Sequence, residues 1–456
     1  MKKACVVASE TERDRAEKFC NELNETGKVK ASLITIKLKK LNDQTFVFDF
    51  EQDSFDILSS ADIIIPSNSG ILKLMMYCTA DNNDISFKIT LYDLKTTILT
   101  ITDDMIAENI MAALPFQRYQ KMNIKLMDFL SKMINHEYVR YLFLDKAQAY
   151  YLRKLSLLKR EVFYSPFSLW YKKTDYSDKE QDIDIAFCGS IGIAEVIKGY
   201  EPLFHKTFVD KLKNLERPLF EIFWENIQTY NYFYGKSIDQ NDPLFWILYK
   251  EISWEFVNPL IRAYILGNIN KKVKVFGFDQ TSFHKFTALQ NNSIRILLKL
   301  IELSPSTFEK GVLETELKGV YLVDYIEGIE FPTLDNIIPS GRIQFQKLND
   351  IFSRTKINIL ISNMIVQSGI PTKLLECVSA GGFFLTDPRY EMKEIFGDDI
   401  EAVTYRNIQE LNQKIEYFLH RPKERRDIVK GLQEKFFQYT RNRTPVELLA
   451  EIIEQI

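Results

Sequence analysis

The chain is poor in the residues that build metal and disulfide sites, with four histidines and five cysteines in 456 residues. His136, His205, His284 and His420 are scattered, and no carboxylate cluster has ligand spacing, so no metal site is predicted. Cys5, Cys20, Cys78, Cys188 and Cys377 contain no C-x-x-C pair and sit mostly among apolar neighbours. They read as buried thiols of a reducing cytoplasm rather than a disulfide framework. Long apolar runs are missing as well: none reaches the length of a membrane span, and the start MKKACVVASETERD turns acidic too soon for a secretory signal. There is no excess of basic charge, since 59 Lys and Arg face 62 Asp and Glu for a formal net charge of −3. That balance argues against a dedicated nucleic-acid binder. Neither an internal repeat nor a low-complexity segment is found. What is present, 46% hydrophobic and 27% charged residues over a length greater than one core usually serves, describes a two-domain globular protein.

From the N-terminus, KKACVVAS reads as a strand and TERDRAEKFCNELNE as the helix after it. KASLITIKL, ADIIIPSNSG, TTILTITDD and YVRYLFLD continue as strands, and the alternation describes a parallel sheet wrapped by helices. Asp103 and Asp104 follow one of these strands and Asp145 another. An aspartate there either caps the next helix or stands at the sheet edge as a general base. The polar stretch KKTDYSDKEQD, residues 172–182, has no apolar face and is the clearest linker. It separates a first domain, 1–171, from a second beginning at Ile183. Residues 196–270 are aromatic-rich and helical in pattern, with Trp224, Trp246, Trp254 and the run TYNYFYG. Aromatics at helical spacing read first as core, with a sugar-stacking surface as the alternative. The basic runs LRKLSLLKR (152–160) and HRPKERR (420–426) read as solvated helix faces and leave peripheral contact with an anionic membrane open.

The densest signal is IFSRTKINILISNMIVQSGIPTKLLECVSAGGFFLTD, residues 351–387. KINILIS, from Lys356 to Ser362, is a continuous aliphatic run of the kind found in parallel strands buried on both faces. Pro371 suits the first turn of a helix; Leu374, Leu375 and Val378 give that helix an apolar stripe, and Gly381 and Gly382 end it. Phe383 to Thr386 then returns as a strand, which puts the helix N-terminus at the carboxyl edge of the sheet, where ligands bind. Amides near Gly369 to Thr372 suit a pyrophosphate, Lys373 adds a full charge, and Glu376 could accept hydrogen bonds from ribose hydroxyls. On spacing alone, Lys373 and Glu376 read first as ordinary solvated helix residues, with the nucleotide-binding roles as the alternative.

This stretch resembles the C-terminal half of the bacterial group 1 glycosyltransferases, most closely the spore-maturation-protein type. The resemblance runs from GRIQFQKLNDIFSRTKIN (341–358) through the Lys–Leu–Leu–Glu helix to AVTYRNIQELNQKIEYFLHRPKERRDIVKG (402–431). Upstream, IDIAFCGSIG (183–192) and KVKVFGF (272–278) resemble the first strands of the same domain. The resemblance implies an α/β fold of GT-B architecture, two Rossmann-like domains with parallel sheets facing a central cleft. The first domain would present the acceptor. The second, 183–420 with a helical insertion over 196–270, would hold the nucleotide sugar. Helices over 421–456 would follow, the last crossing back to the first domain.

The implied activity is transfer of a sugar from a nucleotide-sugar donor to a cell-surface glycan, glycolipid or protein acceptor. It would need no metal and no cofactor beyond that co-substrate, and no nucleic acid as partner. The expected location is the cytoplasm, with peripheral contact at the inner face of the membrane left open. A nucleotide-sugar epimerase and a non-catalytic binding or scaffold module are the alternatives on the same fold. The resemblance assigns Glu376 to ribose and Lys373, Gly369 and Thr372 to diphosphate, with Gly189 and Ser190 beside them. Gln344 and Phe345 would hold the base, and Gly277 would let backbone approach the nucleotide. Ser368 departs from the pattern, because retaining relatives carry there the first of two glutamates, so stereochemistry stays open. An inverting enzyme would need a base such as Asp103 or Asp104.

Overall fold

Eight residues at the N-terminus, Lys2–Ser9 (β1), form a buried strand because Cys5, Val6 and Ala8 have no exposed surface and Val7 only 3%. The computed structural model describes residues 1–9, 13–42, 45–49, 52–66, 76–81, 84–89, 96–102, 135, 137–165, 180–191, 194, 197, 199–277, 329, 332, 334–341, 343, 347–441 and 443–456. These divide into two units. One is Met1–Trp170 with Gln240–Trp246 and Thr440–Ile456; the other is Tyr171–Asp239 with Ile247–Tyr439.

In the first unit β1 is followed by Val29–Asn42 (β2), Thr45–Asp49 (β3), Ile63–Pro66 (β4), Met76–Asp81 (β5), Asp84–Ile89 (β6), Thr97–Thr102 (β7), Val139–Phe143 (β8) and Phe163–Tyr164 (β9). Seven of them form one sheet in the order β3-β2-β1-β4-β7-β8-β9, parallel except where β3 turns back on β2. That antiparallel edge and the separate β5–β6 hairpin are features the strand–helix alternation did not predict. The C-terminal helix Pro445–Gln455 belongs to this unit, and its Val446, Leu449, Ala450 and Ile453 join the core around β1. It begins with a capping box, Thr444 Oγ1 accepting from Glu447 N while Glu447 accepts from Thr444 N.

The second unit is built on Ile183–Cys188 (β10), Val273–Phe276 (β11), Ile337–Pro339 (β12), Thr355–Leu360 (β13) and Phe384–Thr386 (β14). Their order is β12-β11-β10-β13-β14, all parallel. The aliphatic run predicted for β13 is buried as a two-faced strand must be: Ile357 and Ile359 have no exposed surface, each such side chain contributing roughly 1.5–3 kcal/mol. Each unit is thus an α/β unit, the second on an all-parallel sheet and the first on a sheet parallel except at β3.

The segment between β10 and β11 is helical: Glu201–Lys213, Leu219–Tyr234, Pro243–Lys250, a π-helical turn Glu251–Val257, and Asn258–Gly267. Its aromatics mostly fill the interior, and Phe204, Phe208, Phe220, Phe223 and Phe256 have no exposed surface. The core reading fails at the end of Leu219–Tyr234, where Tyr232, Phe233 and Tyr234 are exposed. Three consecutive residues point in three directions about 100° apart on a helix, so they cannot share one buried stripe.

Part of each basic run is used internally. Arg425 is buried and donates to Phe418 O, Leu419 O and Gln181 Oε1, and Arg153 and Arg160 donate to the carbonyls of Arg160 and Glu137. Among the described residues no helix is long and apolar enough to cross a membrane.

Candidate functional site

The strand order fixes where a ligand site is expected. The chain runs outward through β10, β11 and β12, then returns to β13 on the other side of β10 and continues to β14. The direction therefore reverses between β10 and β13, and in open parallel sheets the crevice beyond the carboxyl ends at such a reversal takes the ligand.

At the end of β10 the chain is drawn close to its neighbour. Gly189 N donates to Phe276 O at 2.7 Å, and Gly277 N donates to Gly341 O at 2.8 Å. Gly277 has φ +110°, and a Cβ on it would lie 2.9 Å from the Gly189 carbonyl carbon and oxygen. Glycine is required there on both counts. A Cβ on Gly189 would come within 3.0 Å of Lys373 Nζ.

Two cations bracket this loop. Lys373 Nζ donates to Cys188 O at 2.5 Å, and Arg262 Nη1 donates to Ser190 O at 2.9 Å. The Lys373 side chain stays partly exposed while its ammonium is tucked among protein atoms, and that burial, then the Arg262 charge, lowers its pKa. Burial pulls Arg262 down to about 10, with Asp387 acting the other way, so the guanidinium stays charged at neutral pH. Two like charges held side by side on backbone carbonyls repel each other, and an anion between them would relieve that repulsion.

The helix Thr372–Ser379 points its N-terminus to the same edge. Pro371 takes the N-cap position with ψ 133°, one residue ahead of the expected first turn, and no side chain caps this terminus. Its amides and dipole face the loop that the two cations hold. Glu376 is 5% exposed, and its charge raises the pKa of both Cys188 and Cys377 and acts against the lowering of Lys373. It therefore stands close to the end of β10. Burial is the main reason the Cys188 thiol is pushed up to about 12, which keeps it protonated and inert.

The loop from β13 to this helix is fixed from several sides. Asp387 Oδ1 accepts from Ser362 N at 2.7 Å, while its other oxygen pairs with Arg389 Nη2 at 3.0 Å in a poor hydrogen-bond geometry. Gln367 Oε1 accepts from Phe220 N at 2.8 Å, and Gln367 Nε2 donates to Tyr249 Oη and Ile365 O, each at 2.7 Å. Ser368 donates its hydroxyl to Glu391 Oε1 and its carbonyl accepts from Glu391 N at 3.1 Å, with both residues buried. A carboxylate from beyond β14 thus reaches the position where the resemblance called for one and the sequence has serine.

The structure brings Gly189, Ser190, Gly277, Thr372, Lys373 and Glu376 to one edge of the second sheet, with buried Gly369 on the loop leading into that helix. Asp103, Asp104, Gln344 and Phe345 lie outside the described residues. Asp145 caps the helix Lys146–Lys154, its Oδ1 accepting from Ala147 N at 2.9 Å. Arg262 was missed by sequence reasoning. It sits on Asn258–Gly267 in the aromatic insertion, without a motif, and only folding carries it 72 positions back to Ser190. Among the described residues no group of three or more His, Cys, Asp or Glu could hold a metal ion.

Residues 315–450 match the family described as Glycosyl transferase-like. Most of the matched segment lies in the second unit, and residues 440–450 lie in the first. No curated protein matches it. Among solved structures it is similar to T4 phage β-glucosyltransferase in complex with its UDP-glucose substrate, at 10% identity and TM-score 0.46 over 98% of this chain and 97% of that one. Sucrose-phosphate synthase from Thermosynechococcus elongatus is similar at 9% identity and TM-score 0.47 over 100% and 98%. Anabaena HepE in complex with UDP and glucose is similar at 8% identity and TM-score 0.46 over 100% and 99%. Every TM-score here is below 0.5.

Proposed function

We propose that the protein transfers a sugar from a nucleoside-diphosphate sugar, held at the carboxyl edge of the second sheet, to a glycan, glycolipid or protein acceptor. One observation carries this reading: Lys373 and Arg262 converge on the loop after β10, opposite an uncapped helix N-terminus at the point where the strand order reverses. Such an arrangement suits a diphosphate, and it suits the negative charge that grows on a diphosphate as it leaves the anomeric carbon. Lys373 and Arg262 are assigned to the phosphates together with the amides of Gly369 to Thr372. Glu376 is assigned to the ribose and Gly277 to the close approach of backbone to the nucleotide. With two cations and a helix dipole on the leaving group, the chemistry needs no metal ion. The four described cysteines are unpaired and buried, which supports a cytoplasmic setting.

The test is thermal stabilisation by UDP, GDP, CDP, CMP, dTDP and their sugars, on wild type and on Glu376→Ala. Ligand at about a hundred times its Kd stabilises by roughly 2.7 kcal/mol, well above the noise of a melt. One nucleotide should raise the melting temperature of the wild type and lose most of that effect in the variant. A wild type indifferent to all of them would sink the donor reading.

A further inference from the structure

We propose that the C-terminal turn of the helix Leu219–Tyr234 is a docking surface for a neutral glycan chain. The choice of ligand class rests on the glycosyltransferase reading; the surface itself is carried by other observations. Tyr232, Phe233 and Tyr234 are 84%, 74% and 53% exposed, an unusual outlay of aromatic surface on one turn. The rings are held rather than loose. Tyr234 stacks on Tyr230 at 4.6 Å, Tyr230 packs on Tyr200 at 5.6 Å, and Tyr232 meets Phe233 edge-on at 5.4 Å. Tyr230 Oη donates to Gly199 O at 2.8 Å and pins the stack to the neighbouring helix start. Gly235, with φ 59°, ends the helix immediately afterwards, and Asn231 closes the turn by bonding both the N–H and the carbonyl of Ile238.

Charge decides against an anionic partner. The last turn carries no basic residue and is the negative end of a 16-residue helix dipole. The Glu201 charge reaches Tyr230, and beyond the cap Lys236 is balanced by Asp239. An anionic membrane or a nucleic acid would meet repulsion here. Area decides against a second copy of the chain. At about 150–250 Å² per aromatic side chain, the three exposed rings offer roughly 400 Å², half of the ~800 Å² per partner that a stable interface needs.

A polyhydroxylated, uncharged chain fits both limits. The C–H face of a pyranose carries slight positive charge and stacks on the negative face of an aromatic ring. Sugar hydroxyls can donate to the helix-end carbonyls beyond Asn231, whose own carbonyl accepts from Gly235 N and Lys236 N, and exchange hydrogen bonds with the two phenols.

The experiment is calorimetric titration of the full-length protein with neutral hexasaccharides of glucose, mannose, galactose and N-acetylglucosamine. Wild type, the double variant Tyr232→Ala/Phe233→Ala and Tyr232→Phe are compared. At least one oligosaccharide should bind the wild type, weaken about tenfold or more in the double variant, and bind Tyr232→Phe nearly as well, since the ring is kept. The nucleotide response of the double variant should be unchanged, because these side chains are exposed and absent from the donor site. If no oligosaccharide binds, or binding survives in the double variant, the proposal is wrong. It is equally overturned if the double variant loses only self-association in sedimentation, or only adhesion to phosphatidylglycerol vesicles. Glycan binding in a protein that ignores every nucleotide would support this surface while removing the donor site.

Discussion

Single residues decide how the site holds charge. Arg262 and Lys373 are anchored on carbonyls two residues apart at the end of β10, and neither has a carboxylate in direct contact among the ion pairs of the described residues. Replacing Arg262 by Ala should weaken binding of the preferred nucleoside diphosphate by about 1.5–3 kcal/mol, the usual worth of a hydrogen bond to a charged group, which is roughly ten- to a hundredfold in Kd. The free nucleoside should bind unchanged, and Arg262→Lys should recover part of the loss, keeping the charge without the fork. Calorimetry with the diphosphate and the nucleoside side by side checks this. Equal losses for both ligands would mean that Arg262 shapes the loop rather than contacting phosphate. Arg262 has no signature in the sequence because its partner is a carbonyl, and carbonyls leave no trace in residue identity. Lys373 and Glu376 were legible because a strand, a proline and a glycine pair frame their helix locally.

Elements come next, since a helix N-terminus binds an anion only if the loop before it is held still. Gln367 does much of that holding: its amide bonds Phe220 N, Tyr249 Oη and Ile365 O, tying the loop after β13 to two elements of the helical insertion. Gln367→Leu keeps the volume but removes the acceptor of Phe220 N and the donor to Tyr249 Oη. The expected cost is about 2–4 kcal/mol, visible as a lower urea midpoint with an unchanged slope, and nucleotide affinity should fall with it. A midpoint equal to wild type would show that the loop does not depend on this amide. The strands were legible where aliphatic runs are continuous, as in β13, while β10, interrupted by Asp184, was read through the resemblance. The β5–β6 hairpin and the antiparallel β3 were not, because they depart from the strand–helix alternation on which the reading of the first unit rested.

For the whole molecule, the last helix returns to the first unit after the chain has completed the second. Val446, Leu449 and Ile453 are at most 3% exposed in the core around β1, and Lys28 pairs with Glu451 and Glu454 at 3.3 and 3.4 Å. Burying three such side chains contributes about 5–9 kcal/mol, comparable to the whole stability of a domain. Truncation after Arg443 should therefore melt the first unit at a much lower temperature and leave the second largely intact. Calorimetry should resolve a displaced transition beside an unmoved one that nucleotide still raises. One cooperative transition, shifted as a whole, would contradict this independence.

By itself the sequence determined the class of fold, the two parallel sheets and the helix that carries Lys373 and Glu376. Those features are written in hydrophobic runs and in Pro and Gly placed within a few residues of one another, and local periodicity survives in a single chain. Only the tertiary structure decided that Arg262 stands over Ser190, that Ser368 answers to Glu391, and that three aromatics of the insertion face water. The first two are pairings across 72 and 23 positions, and the third is a matter of what packs on a helix face. None of these is encoded in the spacing of neighbours along the chain.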